Sequence, residues 1–510
     1  MAEARKPLKD LRDYLQRLEE YGFLMTIDKE VHWNLEAAAI ATMNMRLGGP
    51  TLHFTNVKGF PGHSLVTCLY SAHNQRRPWE KTAIIMGLDP TCSIEEIRNE
   101  IKARMAHPIK PVVVSSGPCK EVIHIGKECN IFNFPVPYIH DGDGGRMVGT
   151  CHAVVTKDYD TDWVNWGQYR VMAHSKTKMG GSFQVGQHMA NMYYLKYERN
   201  NAPMPFAIIM GDDPSCQFSA CTDVGVGISE VDVVGGLRRA PVELVKCETN
   251  DLLVPANAEI VIEGEVRPYE RWDEGPFGEY DGYMNAPRLP RPVYRIHAIT
   301  HRKNPIFPFI VEGIPNSDGM TIFSVANSSS YELAGQRNGF PITRIILPQE
   351  CQYIWVSVAS EIPYPGYPFD LSQFFYGLGV GVWFEKFVTY DPWADISNSE
   401  EVFEEWALKM HPRRDYHVTP EIVPLSQVAS YKSTEEKRKG YGADSFMDAT
   451  TALMDDPPLK VSIESAYSEE TQAWVLNNWK EFGFEEDAEM PEEKSLKYLR
   501  NFIKVKRGEK

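Results

Sequence analysis

The segment "AEIVIEGEV" (Ala258–Val266) runs shortly into "WDEGPFGEYDGY" (Trp272–Tyr283), and this pair decides how the middle of the chain is read. The first is a short apolar run of strand type, bounded by turn residues. The second breaks regular structure: Gly275, Pro276 and Gly278 all disfavour a helix interior, so Gly-Pro-Phe-Gly is a turn. Glu274 and Glu279 bracket that turn, with aromatic residues on both flanks. Two readings stay open here. Acidic residues near a turn are usually solvated. Carboxylates fixed in a partly desolvated site instead make an acid/base pair.

Outward from this point, strands dominate residues 108–315: "CHAVVTKD", "PFAIIMG", "VYRIHAITHR" and "PIFPFIVEG", separated by Gly, Pro, Asn and Asp turns. "HMANMYYLKYERN" (188–200) and "VDVVGGLRRA" (231–240) are helices among them, the second weakened by its Gly pair. Toward the N-terminus, Leu8, Leu11, Leu15 and Leu18 recur at helical spacing, "LEAAAIATMNMRL" is a second helix, and "SIEEIRNEIKARM" is a third with Ser93 as N-cap. "HSLVTCLY" and "TAIIMGLD" read as strands. Residues 320–432 mix helices ("SSSYELAGQRNG", "EEVFEEWALKM") with strands ("TRIILPQ", "YIWVSVAS", "EKFVTYD"), a second α/β unit. Two further helices are expected near the end, "SEETQAWVLNNWKEFGF" and "PEEKSLKYLRNFIKVKR".

The 510 residues suffice for two or more domains. A hydrophobic content of 43% with 24% charged residues is that of a soluble globular protein. The net charge of −16 argues against nucleic-acid binding, which rests on a basic surface. Nine cysteines form no CxxC pair and no zinc spacing. No apolar run reaches the roughly 18 residues of a membrane helix, and the N-terminus lacks a signal-type apolar core. The expectation is a cytoplasmic enzyme in a reducing compartment.

Three further clusters carry candidate chemistry. In "WVNWGQYRVMAH" (Trp163–His174), Asn165 and Arg170 lie among aromatics. Their odd spacing puts them on opposite faces of an extended segment, so both meet one ligand only if the chain twists, bulges or turns between them. In "GGSFQVGQHMANMYY", His188 follows a Gly-rich loop at a helix start, where free N–H groups suit an anion. In "VGVGISEVDVVGGL", Glu230 enters a helix. Each has a bland alternative: a satisfied strand Asn, a structural His, an acid favoured by a helix dipole. Together an Asn, a His and a Glu would make a mixed N/O site for Mn²⁺ or Mg²⁺.

The order of these pieces resembles the UbiD family of prenylated-flavin (prFMN) dependent decarboxylases, which includes ferulic/cinnamic acid decarboxylases and the 4-hydroxybenzoate-type enzyme of ubiquinone synthesis. "NWGQYRVM", "GQHMANMY", "ELVKCETNDLLVPANAEIVIEGE" and "EGPFGE" follow one another as they do there, and the likeness covers residues 8–455. "KFVTYDPWAD", "WALKMHPRRD" and "GYGADSFMDAT" match more loosely.

The resemblance implies an α/β (α+β) fold. It divides into N-terminal helices with a split β-barrel flavin domain (1–320), an α/β dimerisation domain (321–455) and a C-terminal helical segment (456–510). It implies metal ligands Asn165, His188 and Glu230 for Mn²⁺ on the flavin phosphate, and a K⁺ near Glu230, Trp166 and Ser219–Thr222. It implies cofactor contacts from Asn165, Trp166, Gly167, Gln168, Tyr169, Arg170, Gln187, His188 and Glu230. The catalytic trio is Arg170, Glu274 and Glu279, with Gln184 and Tyr280 facing the substrate. The chain departs from relatives with a phosphate-directed Lys, having Gly379 there with Lys386 nearby, and from others with Asp444–Ser445.

The expected activity is reversible, non-oxidative decarboxylation of an aromatic, heteroaromatic or α,β-unsaturated acid, or an aryl-CoA such as phthaloyl-CoA. It runs through a covalent substrate–cofactor adduct, CO₂ loss and protonation by Glu279. Glu274 orients Arg170. A flavin prenyltransferase supplies the cofactor, and the chain forms a homodimer or larger homo-oligomer. Competing readings are an FMN-dependent oxidoreductase, which would consume NAD(P)H; a hydrolase with Glu274 and Glu279 as acid/base pair, active without flavin; and a non-catalytic carboxylase subunit, which would not turn over.

Overall fold

The computed structural model describes residues 6–72, 77–184, 186–284, 287–313, 317–378, 384–420, 423–424, 432–433, 435–436, 441–451 and 461–484. Its centre is one antiparallel sheet of nine strands. Across the sheet the order is Met147–Gly149, Val171–Ser175, Lys178–Gly181, Leu289–His301, Ile260–Glu274, Met204–Met210, Ala153–Lys157 and Val164–Gly167, with Val122–Ile125 added on Leu289–His301.

Connectivity forces this sheet to curl. Strand Met147–Gly149 is followed, after Thr150, Cys151 and His152, by Ala153–Lys157, which lies six places away in the order. Strand Val164–Gly167 is followed, after Gln168, Tyr169 and Arg170, by Val171–Ser175, also six places away. Six strand spacings in a flat sheet are about 29 Å. A three-residue link reaches roughly 14 Å between flanking Cα atoms. The two edges therefore approach each other, giving a split half-barrel, and residues 150–152 and 168–170 cross the split. The crossings bond to each other: Gln168 Nε2 donates to the Thr150 carbonyl (2.7 Å) and His152 Nε2 to the Tyr169 carbonyl (3.0 Å).

Alternation along the strands supplies two cores. Val154, Ile208, Ile260 and Ile262 pack inside the curl with Phe206, Tyr294 and Phe307. Their neighbours Ala153, Val155, Ala207, Ile209 and Val261 face a second core with Trp166, Val234, Leu244 and Val254. The acids of the opening stretch are structural. Glu263 accepts the N–H groups of Glu248 and Thr249. Glu259 accepts a two-bond fork from Arg12 (2.7 and 2.9 Å), tying helix α1 (Leu11–Glu20) to the sheet.

The other helices of this part are α2 (Glu36–Arg46), α3 (Glu80–Ile85), α4 (Ile94–Met105), α5 (His188–Met192), α6 (Pro214–Ala220) and α7 (Glu230–Arg238). Ser93 caps α4 in a full capping box, as expected. "TAIIMGLD", expected as a strand, begins inside α3 instead. All six residues of α3 are buried, so no polar stripe marks its period. The helix expected over 188–200 is α5 followed by a π-turn, Tyr193–Tyr197. In "PIFPFIVEG" only Ile306–Pro308 is strand. The Gly pair of α7 lets the backbone of residues 104–109 lie against it: a Cβ on Gly235 would stand 2.2 Å from the Ile109 carbonyl oxygen.

Helix α8 (Asp318–Arg337) joins the two halves. Ile322 and Val325 pack with the N-terminal helices, Met320 and Tyr331 with the second sheet. That sheet runs Ile342–Ile346, Trp355–Ser360, Lys386–Tyr390, Ser445–Ala449, Tyr416–Val418; its three central strands are parallel. Helices α9 (Tyr367–Gly377) and α10 (Ser399–Lys409) accompany it. Residues 469–477 are helical, as expected, whereas the helix expected over 491–507 lies outside the described residues. No described helix is long and apolar enough to cross a membrane.

Candidate active site

The half-barrel's split brings the sequence-predicted residues together. Asn165 lies on the last strand before the crossing, His188 opens α5 and Glu230 opens α7. His188 Nδ1 stands 3.2 Å from Asn165 Oδ1 and 3.8 Å from Glu230 Oε1. Trp166 N–H donates to Glu230 Oε2 (2.8 Å), and Ser219 Oγ donates to the Glu230 carbonyl (3.0 Å). Asn165 Nδ2 donates to the Tyr169 hydroxyl, turning its oxygen toward His188. Trp163 covers the imidazole edge-on, ring centroids 4.9 Å apart. Burial pushes the Glu230 carboxyl above its usual range, opposed by His188 and the Trp166 N–H. One amide oxygen and one carboxylate, both buried, with one half-buried imidazole nitrogen, suit a divalent cation such as Mn²⁺ or Mg²⁺.

Arg170 stands at the end of the crossing. The chain leaves strand geometry over residues 168–170, which lifts the strict alternation behind the odd spacing from Asn165. Its Nε and Nη2 donate to Glu274 Oε1 and Oε2, both at 2.8 Å, a two-bond fork. Its Nη1 forms an ion pair with Glu279. Glu274 ends strand Ile260–Glu274 and is wholly buried, while Glu279 keeps a small exposed face. Phe277 lies beneath the guanidinium, 5.4 Å from its ring centre.

The turn between the glutamates is clamped from one side. Asp143 Oδ1 accepts the Gly278 N–H (3.0 Å), and Gly144 N–H donates to the Pro276 carbonyl (2.7 Å). A Cβ on Gly144 would stand 2.0 Å from the Gly275 oxygen, and one on Gly278 2.5 Å from His140 Nδ1. Glycine at both places lets loop and turn touch.

Two cavities meet here. The larger, about 1040 Å³, is lined by Asn165, His188 and Glu230 together with Trp166, Gly167 and the loop Ala220–Val226. The smaller, about 580 Å³, is lined by Arg170, Glu279, Thr150, Ser182, Gln184 and Glu312. Gln168, Tyr169, Gln187, Tyr280 and Phe323 line both. Every residue expected from the sequence to act in catalysis, cofactor, divalent-metal or substrate binding lines one of them except Glu274, which sits behind Arg170; of the Ser219–Thr222 stretch, Ala220, Cys221 and Thr222 line the larger cavity. Among the described residues lining the larger cavity, His188 is the one basic side chain, while Glu230 is buried and Asp223 half-buried there without Lys or Arg.

Residues 110–315 match the family described as 3-octaprenyl-4-hydroxybenzoate carboxy-lyase Rift-related domain, and residues 15–101 match its N-terminal domain. A phenolic acid decarboxylase of Sedimentibacter hydroxybenzoicus is 31% identical over 470 residues, 89% of this chain and 93% of the relative. The chain belongs to the UbiD family of carboxy-lyases.

Another UbiD relative, the pyrrole-2-carboxylic acid decarboxylase of Pseudomonas aeruginosa, is 28% identical over 93% of this chain and 98% of its own. The closed form of Sedimentibacter hydroxybenzoicus vanillic acid decarboxylase superposes with a TM-score of 0.85, 27% identity, over 94% of this chain and all of that one. The UbiD-class enzyme HmfF of Pelotomaculum thermopropionicum, solved with FMN, gives 0.73 at 25% identity over 91% of this chain and 99% of its own.

Of the departures from UbiD relatives noted in the sequence, Lys386 opens a strand of the second sheet and Asp444 lies beside Glu385 and Lys432. Neither residue, nor Ser445, lines either cavity. Gly379 lies outside the described residues. Sequence reasoning missed Thr150, Ser182, Phe277, Glu312 and Phe323 on the smaller cavity, and Asp223 and Tyr353 on the larger. Asp223 accepts hydrogen bonds from the hydroxyls of Tyr331 and Tyr353, so helix α8 and the second sheet grip the cavity floor. The one local signal was the acid of "IVEG", at the end of an apolar run.

Proposed function

We propose that this UbiD carboxy-lyase decarboxylates aromatic or heteroaromatic acids reversibly and without net oxidation, using prenylated FMN. The observation that carries the reading is Arg170, forked by Glu274 and paired with Glu279 where the two cavities join. The FMN bound by HmfF and the acids named for the phenolic, vanillic and pyrrole-2-carboxylic enzymes support it. Asn165, His188 and Glu230 would hold a divalent cation, Mn²⁺ by resemblance, against the flavin phosphate. The Trp166 and Ser219–Thr222 neighbourhood is the candidate for K⁺. Residues 165–170 and Gln187 would line the ring system.

Arg170 receives the substrate carboxylate on the Nη1/Nη2 edge that its fork with Glu274 leaves, so the substrate takes the place of Glu279 on Nη1 and frees Glu279 to carry a proton, while Glu274 keeps the guanidinium plane fixed. Phe277, Tyr280 and Phe323 exclude water from the reacting carbon. The bond from that carbon to the carboxylate breaks, CO₂ leaves, and the electron pair stays on the substrate side. Bound prenylated flavin supplies the electron sink for that pair. Protonated Glu279 delivers its proton to the carbon, and solvent restores it; carboxylation is the same path reversed.

The residue division 1–320, 321–455 and 456–510 into flavin-binding, oligomerising and C-terminal parts belongs to this reading. So do a homo-oligomeric state, a cytoplasmic location and cofactor supply by a flavin prenyltransferase. The test is co-expression with such a prenyltransferase, followed by CO₂ release from a panel of hydroxybenzoic, pyrrole- and furan-carboxylic, cinnamic and aryl-CoA acids. Turnover that consumes NAD(P)H, or proceeds with no flavin bound, overturns it.

A further inference from the structure

Glu312 lies outside the Arg170–Glu274–Glu279 trio yet lines the same small cavity as Arg170 and Glu279. Its residue surface is 8% exposed. Its place is prepared from three sides. Ser317 Oγ, the N-cap of the 20-residue helix α8, donates to Glu312 Oε2. Glycine at 319 makes room, since a Cβ there would stand 2.5 Å from Glu312 Oε1. His140 Nε2 donates to the Glu312 backbone carbonyl (3.0 Å), linking it through Asp143 to the turn that carries Glu279. The cavity also holds a buried polar group without a hydrogen-bond partner among the described residues: Ser182 Oγ, on a residue 5% exposed. An apolar ring filling this space would leave Ser182 Oγ unmatched and the Glu312 carboxylate desolvated with Ser317 as its side-chain donor, at a cost a ligand with its own donor avoids.

We propose that Glu312 is a specificity-determining residue that accepts a hydrogen bond from a ring N–H or phenolic O–H of the substrate acid, with the Ser182 hydroxyl as its neighbour. This deepens the decarboxylase reading and rests on it. The carboxylate is the acceptor form; its facing groups are Ser317, His140 and Asp318, with Arg170 and Glu279 across the same cavity. Burial raises the Glu312 carboxyl to about 7, against the Ser317 hydrogen bond and the nearby His140, with Asp318 adding to the rise. Acceptance therefore strengthens as pH climbs through neutrality.

The test uses the flavin-loaded full chain and pairs of acids of one shape: pyrrole-2-carboxylate against furan-2-carboxylate, and 4-hydroxybenzoate against benzoate. Binding is read by calorimetry and turnover by CO₂ release, from pH 6 to 8. Wild type is expected to bind the donor-bearing member at least tenfold more tightly in one or both pairs, more so at pH 8. Glu312→Leu should bring that ratio within about twofold while flavin content stays constant. Glu312→Gln, which keeps an acceptor, should retain part of the ratio but lose its pH dependence. An unchanged ratio in Glu312→Leu, equal weakening of both members, or loss of flavin overturns the assignment. Wild type that decarboxylates these acids without discriminating overturns Glu312 alone. Wild type that neither binds nor decarboxylates any of the four overturns both Glu312 and the aromatic-acid reading.

Discussion

Arg170 and Glu274 share two parallel hydrogen bonds of 2.8 Å, one partner at the end of a barrel crossing and the other at the end of the longest strand of the sheet. This fork fixes the plane of the guanidinium and leaves Nη1 for Glu279. Lysine cannot reproduce it. Arg170→Lys is expected to lower kcat/KM by about two orders of magnitude or more while the fold persists. Glu274→Ala, which leaves the guanidinium with Glu279 as its one carboxylate, should also cost roughly 1–3 kcal/mol of stability. Steady-state kinetics with urea unfolding checks both.

Glu279 is expected to be dispensable for assembly and needed for proton delivery. Glu279→Gln should bind flavin and metal as wild type does, yet lose decarboxylation and exchange of the product's reactive hydrogen in deuterated buffer. Glu279→Asp should keep a measurable fraction of both. A Gln variant with near wild-type turnover would return the stretch to an ordinary acidic turn.

Burial holds the Glu230 carboxyl above the usual carboxylate range, so a cation competes with a proton for it as pH falls. Metal retention after dialysis is expected to rise with pH. Glu230→Gln should reduce retention of metal and flavin together, read by elemental analysis and absorbance. Full metal occupancy in that variant would remove Glu230 from the ligand set.

Asp212, buried beside Asp213 away from the cavities of the active site, gives a stability prediction with a definite sign. Burial, and then the Asp213 charge, raise it to about 7. Between about pH 4, the ordinary range of an aspartate, and 7 the native state holds a proton the unfolded chain has released. Its contribution is therefore complete below that window and lost as pH rises through it. Asp212→Asn should flatten this loss and raise Tm at pH 8 relative to wild type, with little change at pH 4. Paired thermal melts would show it.

Local signals carried much of the fold. Ser93 announced α4, and the glycines and proline around Phe277 announced the turn between the catalytic candidates. Helix α3 was misread because all its residues are buried and its apolar run has no polar phase. Helix α6 was passed over although Asp213–Pro214 is an N-cap with proline in the first turn. At the site, residue types suggested Asn165, His188 and Glu230, and family resemblance assigned them, but no spacing along the chain could show that they meet. Their meeting depends on the sheet's closure. The end of an apolar run marked Glu312, but its place at the site was hidden for the same reason: its partners Ser317 and His140 are near it in the fold, and its cavity-mates Arg170 and Ser182 are far away in sequence.

The two crossings of the split act as rulers. Residues 150–152 and 168–170 each bridge a gap of fixed width, and each is followed at once by a strand of the sheet; in Ala153–Lys157 the side chains alternate between two cores, while Val171 and Met172 both pack into the inner one. One added residue would either bulge into the cavity or slide the next strand by one place, exchanging its inward and outward side chains. Change at this site is thereby confined to substitution, with Thr150, Gln168 and Tyr169 open to exchange in chemistry but not in number. Insertions that enlarge or reshape the cavity can enter from the loops beyond the barrel's rim, such as 220–228, where no strand register follows directly.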